Sequence, residues 1–228
     1  MANPRYRSYL AIAKEIAHAA GVAPTPNTTP TDWIPVLNIN PLDNIKYLED
    51  KNWRGSMAET FGLAQGVIHS EIEFNGDVFP DTVGYPIAGI LADYAITGAS
   101  APYTHTMAVK NSGNGQGASY TLLDYNSVNA RQFAGCQFES VDFKFNAEGL
   151  LEYSAKAMGF ASAVVTPAST PSFSTVTTVP AWTGVTTIAG SVSAKLAEGN
   201  ISIKRAISPI FTVDGSQSPY QLFQGAAV

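Results

Sequence analysis

Cysteine occurs once in the 228 residues, as Cys136, so an internal disulfide framework is impossible and no CxxC element exists. A lone thiol fits a protein made and kept in a reducing compartment. Charge is scarce too: Asp, Glu, Lys and Arg make up 14%, against about 25% in an average soluble domain. Ser, Thr, Asn, Gln and Gly stand in its place, and such a surface repels its own copies only weakly. That favours a subunit covered by neighbours over a free enzyme. No apolar run nears the ~18 residues of a membrane helix, and the N-terminus lacks a basic-then-apolar leader. Neither a membrane protein nor a conventionally secreted one is expected. His18, His69 and His105 stand far apart, without HxH or HxxxH spacing or a Cys partner, which argues against a metal site. His105 alternates with Tyr103 and Met107 and reads as a core or interface residue. There is no GxSxG nucleophile elbow. No cofactor is expected.

The formal net charge of −5 is unevenly placed. Residues 1–30 carry +2, residues 31–100 carry ten carboxylates against three basic groups, and residues 101–228 sum to zero. A protein that grips nucleic acid needs a basic stripe to neutralise phosphates, and none exists. Glu71, Glu73, Asp77 and Asp81 could include an acid/base pair for glycoside chemistry, but a solvated strand face explains them more simply. Gly113, Gly115 and Gly117 lack the lysine and following helix of a phosphate cradle, and read as a flexible hairpin tip. Cys136 reads as a small buried residue.

Most of the chain follows a period of two. Val141, Phe143 and Phe145 alternate with Asp142 and Lys144, a turn-prone Asn146-Ala147-Glu148-Gly149 follows, and Leu151, Tyr153, Ala155 and Ala157 alternate with Glu152, Ser154 and Lys156. This is a β-hairpin pattern. Similar runs at 71–74, 103–110, 120–125 and 201–207 predict antiparallel strands wetted on one face. One stretch departs from the rhythm. Val83, Ile87, Ile90, Leu91 and Tyr94 fall at helical spacing and predict a helix over about 83–95, with Asp81 as N-cap, Pro86 near the first turn and Gly98 as the stop. Residues 8–20 read two ways, as helix or strand, and pattern alone favours helix.

Four prolines make 22–35 an extended connection, taken as an arm that reaches an adjacent subunit. The Thr/Ser/Pro-rich stretch 163–184 reads as a connector between a β domain at 1–162 and a partial second β element at 185–228. A faint echo supports that division: the strand near 71–74 leads through Gly76-Asp77 into the helix, and Ile201–Ile207 leads through Asp214-Gly215 toward Phe223. The second copy would be a truncated repeat.

Taken in order, several segments resemble the tail tube (major tail) proteins of long-tailed bacteriophages. They are Tyr9–Glu15 followed by Gly21-Val22-Ala23-Pro24, then Trp33-Ile34-Pro35-Val36 and Lys51-Asn52-Trp53-Arg54-Gly55-Ser56. Gly76–Asp81 leading into the helix, the strand at 138–145, and Asp214-Gly215-Ser216-Gln217 to Phe223 complete the set. The resemblance implies a mainly β fold, an antiparallel β-sandwich or open barrel with one flanking helix. It also implies a strand over 8–15. Subunits of that kind form hexameric rings stacked into a hollow virion tube, built in the host cytoplasm. Tape-measure, terminator and tail-tip proteins are the implied partners, and duplex DNA passes through without specific binding.

Barrel geometry adds an independent point. About 16–18 strands enclose only a small-molecule channel, so one 228-residue chain cannot close a bore wide enough for a duplex. Six copies giving about four strands each can. Such a wall must offer phosphates nothing to hold, so Glu71, Glu73, Asp142 and Glu152 are the candidate lumen-facing acids. Lys51, Trp53 and Arg54 join an aromatic and two cations where the alternation lapses, and are the candidate subunit or ring contact. The competing expectation is a monomeric β-sandwich that binds a receptor or carbohydrate, with Tyr103, Tyr120 and Tyr125 as its only loose candidates.

Overall fold

Alternating side chains demand a sheet whose apolar faces meet. The computed structural model builds one, and describes residues 8–15, 23–100, 103–126, 128–167, 171–185, 187–188, 191–192 and 196–227. The first strands are β1 (Tyr9–Lys14), β2 (Asp32–Ile34), β3 (Asn38–Asp50) and β4 (Gly62–Asp77). Helix α1 (Gly84–Leu91) follows, then β5 (Ala92–Thr97), β6 (Thr104–Val109), β7 (Tyr120–Tyr125), β8 (Ala130–Asn146), β9 (Glu152–Gly159) and β10 (Ala163–Val165). A 3₁₀ turn at Ala181–Thr183 leads to β11 (Thr187–Ile188), β12 (Ser191–Val192), β13 (Glu198–Ile210) and β14 (Gln221–Ala227).

The main sheet runs β2-β1-β7-β8-β9-β4-β3, with β10 and β13 also on β8 and β14 on β13. All its pairs are antiparallel. β8 organises it. Its first half lies between β7 and β10, and its second half between β13 and β9. One strand therefore serves two layers. The change of layer coincides with irregular pairing at Tyr120/Leu122 and Phe138/Ser140, next to Gly135 at φ +63°. A bulge with a left-handed glycine bends a strand. Any side chain at Gly135 would also meet the Phe160 ring at 2.6 Å.

The layers close on a common core. Leu10, Ile12, Ile34, Leu122 and Phe133 come from one; Ile72, Phe74, Val141, Tyr153, Ala155 and Ala157 come from the other. Each large side chain so buried contributes about 1.5–3 kcal/mol. Phe138, at the crossing, meets Phe74 and Tyr120 edge to face, at centroid distances of 6.3 and 5.5 Å. The expected hairpin is present as β8–β9, with Lys144 opposite Glu152 and Val141 opposite Ala155.

Several local expectations need correction. The helix ends at Leu91, because Ala92 turns left-handed at φ 70°. Its last carbonyls find partners outside the helix: Ile90 O accepts from the Arg205 guanidinium at 3.2 Å and Leu91 O from Lys110 N–H at 2.8 Å. The spacing of Tyr94 is thus that of strand β5. Its first turn has Val83 at the cap with no side-chain bond, in place of Asp81. The helix lies so close to β8 that a Cβ on Gly89 would stand 2.4 Å from the Phe138 ring.

Residues 9–14 form the strand that the resemblance implies, where the periodic pattern alone favours helix: β1 pairs with β2 and β7 along its edges, and side chains on both of its faces are buried. Residues 16–22, including His18, lie outside the described residues. The proline-rich stretch from 23 does not leave its own body. Thr31 N–H donates to Ile12 O at 2.9 Å, Asn27 N–H to the Thr121 hydroxyl at 2.9 Å, and Asn27 Nδ2 to Lys14 O at 3.1 Å. It lies over the outer face of β1 and β7, so Thr121 and Leu123 are buried where one-sided wetting was expected.

The glycine-rich loop 112–117 is not a free hairpin tip, because β6 pairs with β5 and β7 with β1 and β8. Arg205 Nη2 donates to Gly115 O at 2.5 Å, and Gln116 is buried against Gln224. Residues 221–227 form a strand, with no second helix in the described residues there. In the gap where β7 has left β8 and β13 has not yet begun, Gln224 Nε2 donates to Phe138 O at 3.3 Å and to Gly89 O at 3.2 Å. A side chain thereby satisfies strand and helix carbonyls that would otherwise be orphaned.

Candidate assembly surfaces

Two surfaces stand out once the core is accounted for. The first is the hairpin of β3 and β4. β9 pairs with β4 only as far as Ser70 opposite Gly159, while β3 and β4 continue together to Asp50 opposite Gly62. At ~3.4 Å per residue, the strands carry the tip about 27 Å past that last partner. The hairpin is apolar without being buried. Leu42, Ile45, Tyr47, Leu48 and Leu63 are all exposed, and Tyr47 and Leu48, adjacent on one strand, point to opposite faces. At the tip Trp53 is 97% exposed and Met57 103%. Exposed apolar surface of this extent on both faces of a two-stranded ribbon marks an interaction site.

The structure brings Lys51, Trp53 and Arg54 together at this tip. Lys51 Nζ pairs with Glu49 at 2.7 Å, and Arg54 pairs with Asp50 while its guanidinium lies 5.1 Å over the Phe61 ring. These contacts shape the tip from within. Trp53 packs on nothing in its own body, so it is no intramolecular anchor.

The second surface is the outer face of the β3-β4-β9-β8-β13 layer. Strand register puts Glu73, Lys156, Ser140 and Lys204 in one row across it, and Asn75, Ser154, Asp142 and Ser202 in the next. Asp77, Glu152, Lys144 and Asn200 form a third. Glu71, Glu73, Asp142 and Glu152 therefore share one face. Carboxylates outnumber cations there: Glu71, Glu73, Asp77, Glu139, Asp142 and Glu152 stand against Lys144, Lys156 and Lys204. The half-buried Lys156 is held between Glu71 and Glu139, at 3.0 Å from each, and the Glu71 hydrogen bond leads in raising its pKa. Burial pushes the Glu71 carboxyl up, but Lys156, His69 and Asn44 outweigh it and leave it below its usual range. The Asp142 carboxylate accepts from the Ser202 hydroxyl.

Other sequence candidates fall elsewhere. Cys136 is fully buried beside Gly159, and burial raises its thiol pKa far out of reactive range. His105 is exposed, not in the core, and shares a 2.6 Å hydrogen bond with the Tyr94 hydroxyl. Among the described residues no group of His, Cys, Asp and Glu could hold a metal ion, and no helix is long and apolar enough to cross a membrane. A groove of about 490 Å³ runs beside α1, lined by Tyr85, Ile87, Tyr94, Met107 and Tyr120. Tyr103 and Tyr125 do not line it. The apolar arm residues 42–48 escaped sequence reasoning, since alternation cannot separate a strand buried by its own fold from one left for a partner. The buried Arg205 and Gln224 gave no pattern at all.

A family model described as phage tail tube protein matches residues 6–227. No curated protein matches the chain.

Proposed function

We propose a ring-and-stack assembly for this chain, which belongs to the phage tail tube protein family. It is a structural, non-enzymatic part of the virion tail, and its family implies that it polymerises with itself. In our reading six copies form a ring, and rings stack into the conduit through which the genome leaves for the host. The observation that carries this is the arm. A two-stranded ribbon with apolar side chains on both faces, tipped by the fully exposed Trp53, is marginal in water until something covers it. A second copy is the covering partner, with Lys51, Trp53 and Arg54 at the contact.

The polar face of β3, β4, β9, β8 and β13 lines the bore. Neighbouring copies join their sheets edge to edge, which removes the exposed margins of β3 and of β13 over 198–204. Its excess of carboxylates, Glu71, Glu73, Asp142 and Glu152 among them, repels phosphate, and the cage around Lys156 keeps one cation from gripping it. Tape-measure, terminator and tail-tip proteins complete the tail, which is assembled in the host cytoplasm. Sedimentation and negative-stain microscopy of the concentrated chain test this reading. Tubes of stacked six-fold rings are expected, and a particle that stays monomeric at every concentration refutes it.

A further inference from the structure

The arm leaves the body where β9 stops, and the exposed edge of β4 would there be free to swing. It is not free. Ile68 N–H donates to Gln217 O at 2.8 Å, Gln217 Nε2 donates to Gln65 O at 3.1 Å, and the Phe211 ring lies 6.3 Å from that of His69. The loop between β13 and β14 thus takes over as the neighbour of β4.

That loop is itself closed. Tyr220 N–H donates to Ile210 O at 2.7 Å across its base. Asp214 accepts from the Thr212 hydroxyl at 2.8 Å and from Ser216 N–H at 2.9 Å, with Gly215 left-handed at φ +83° and Pro219 buried. The β3 side of the root is clamped as well. Asp43 pairs with Arg131 at 2.5 Å and accepts from the Ser162 hydroxyl at 2.6 Å and from Ser162 N–H at 3.2 Å. Both strands of the arm are therefore gripped at its root by groups remote in sequence, and Gln217 spans the irregularity between Ile45 and Tyr47 where the ribbon could pivot, holding Ile68 on its near side and Gln65 on its far side.

We propose that the 211–220 loop is a buttress that sets the direction of the arm before a second copy arrives, with Gln217 as the positioning residue. The proposal rests on the reading of the arm as the inter-subunit contact. An arm held in its docking direction loses less freedom on association than one that must be ordered at that moment. The C-terminal hairpin thereby acts in polymerisation without touching the neighbouring copy through Gln217.

Gln217→Glu tests it, since this isostere removes the donor to Gln65 O, whereas Gln217→Lys keeps an N–H donor. Gln217 is exposed, so melting temperature serves as the fold control. The full-length chain is followed by amide hydrogen exchange over 64–68 and by the concentration at which it polymerises. Gln217→Glu is expected to speed exchange at Ile68 and to raise the polymerising concentration about three- to tenfold, the worth of one hydrogen bond. Gln217→Lys and the melting temperature should stay near wild type. Polymerisation lost to Trp53→Ala yet untouched by Gln217→Glu overturns the buttress alone. A wild-type chain that never polymerises overturns the arm reading, and the buttress with it.

Discussion

Trp53→Ala separates assembly from folding in one substitution. The indole is 97% exposed, so the isolated fold loses no packing and its unfolding free energy should stay within about 0.5 kcal/mol of wild type. Burial by a second copy changes that balance. A Trp covers ~150–250 Å², which at about 25 cal/mol per Å² corresponds to about 4–6 kcal/mol of hydrophobic gain. The alanine methyl keeps part of it, and truncating a Trp anchor at an interface centre costs about 2–4 kcal/mol. At 1.4 kcal/mol per decade, the association constant of each contact falls roughly 30- to 700-fold. Every copy presents one arm, so the loss recurs at every contact along the tube. Urea unfolding should be unchanged, while sedimentation and negative stain show monomers where wild type shows tubes. Arg54→Ala should behave alike, because its contacts with Asp50 and Phe61 lie within the tip. Tubes of Trp53→Ala at the wild-type concentration would refute the reasoning, and loss of folding would show that the tip anchors its own body.

Four further outcomes can be checked. Arg205→Met strips donors from Gly225 O, Ile90 O and Gly115 O around a buried guanidinium, and should lower the urea-derived stability by about 3 kcal/mol, a large share of ~5–15 in total. Gly89→Ala forces a methyl toward the Phe138 ring and should cost about 1–3 kcal/mol in the same assay. Burial raises the Asp124 carboxyl against the opposing pull of Arg131, so its folded pKa lies above the unfolded one. Its favourable contribution exists below the unfolded pKa and is lost as pH rises through the folded value. Asp124→Asn should therefore stabilise at neutral pH and make little difference below about pH 3.9, read from urea midpoints at both. Finally, Glu71→Lys with Glu73→Lys on the proposed bore face should leave tubes intact by microscopy but slow genome ejection from particles built with them; unchanged ejection would place that face elsewhere.

How much of this was legible in advance differs from element to element. The β8–β9 hairpin announced itself because both strands keep one face in the core, so their alternation records burial directly. The acidic candidates Glu71, Glu73, Asp142 and Glu152 came to one face for the same reason, strand parity being a property of the sequence once register is set. The helix was legible in place but not in length, since its end depends on Arg205 and Lys110 taking its last carbonyls. The strand at 9–14 was hidden, because burial on both faces erases alternation and leaves an alanine-rich run that looks helical.

Composition and periodicity by themselves determined a mainly β chain with little surface charge, no disulfide framework and no basic stripe. The tertiary structure alone decided that β8 serves two layers, that the proline-rich segment folds onto its own body, and that the C-terminal hairpin grips the root of the arm. Side-chain period is local and survives in the sequence. Which distant group meets an orphaned carbonyl, and whether an apolar strand face is covered by its own chain or left for another, depends on contacts between residues far apart in the chain, and these leave no local pattern.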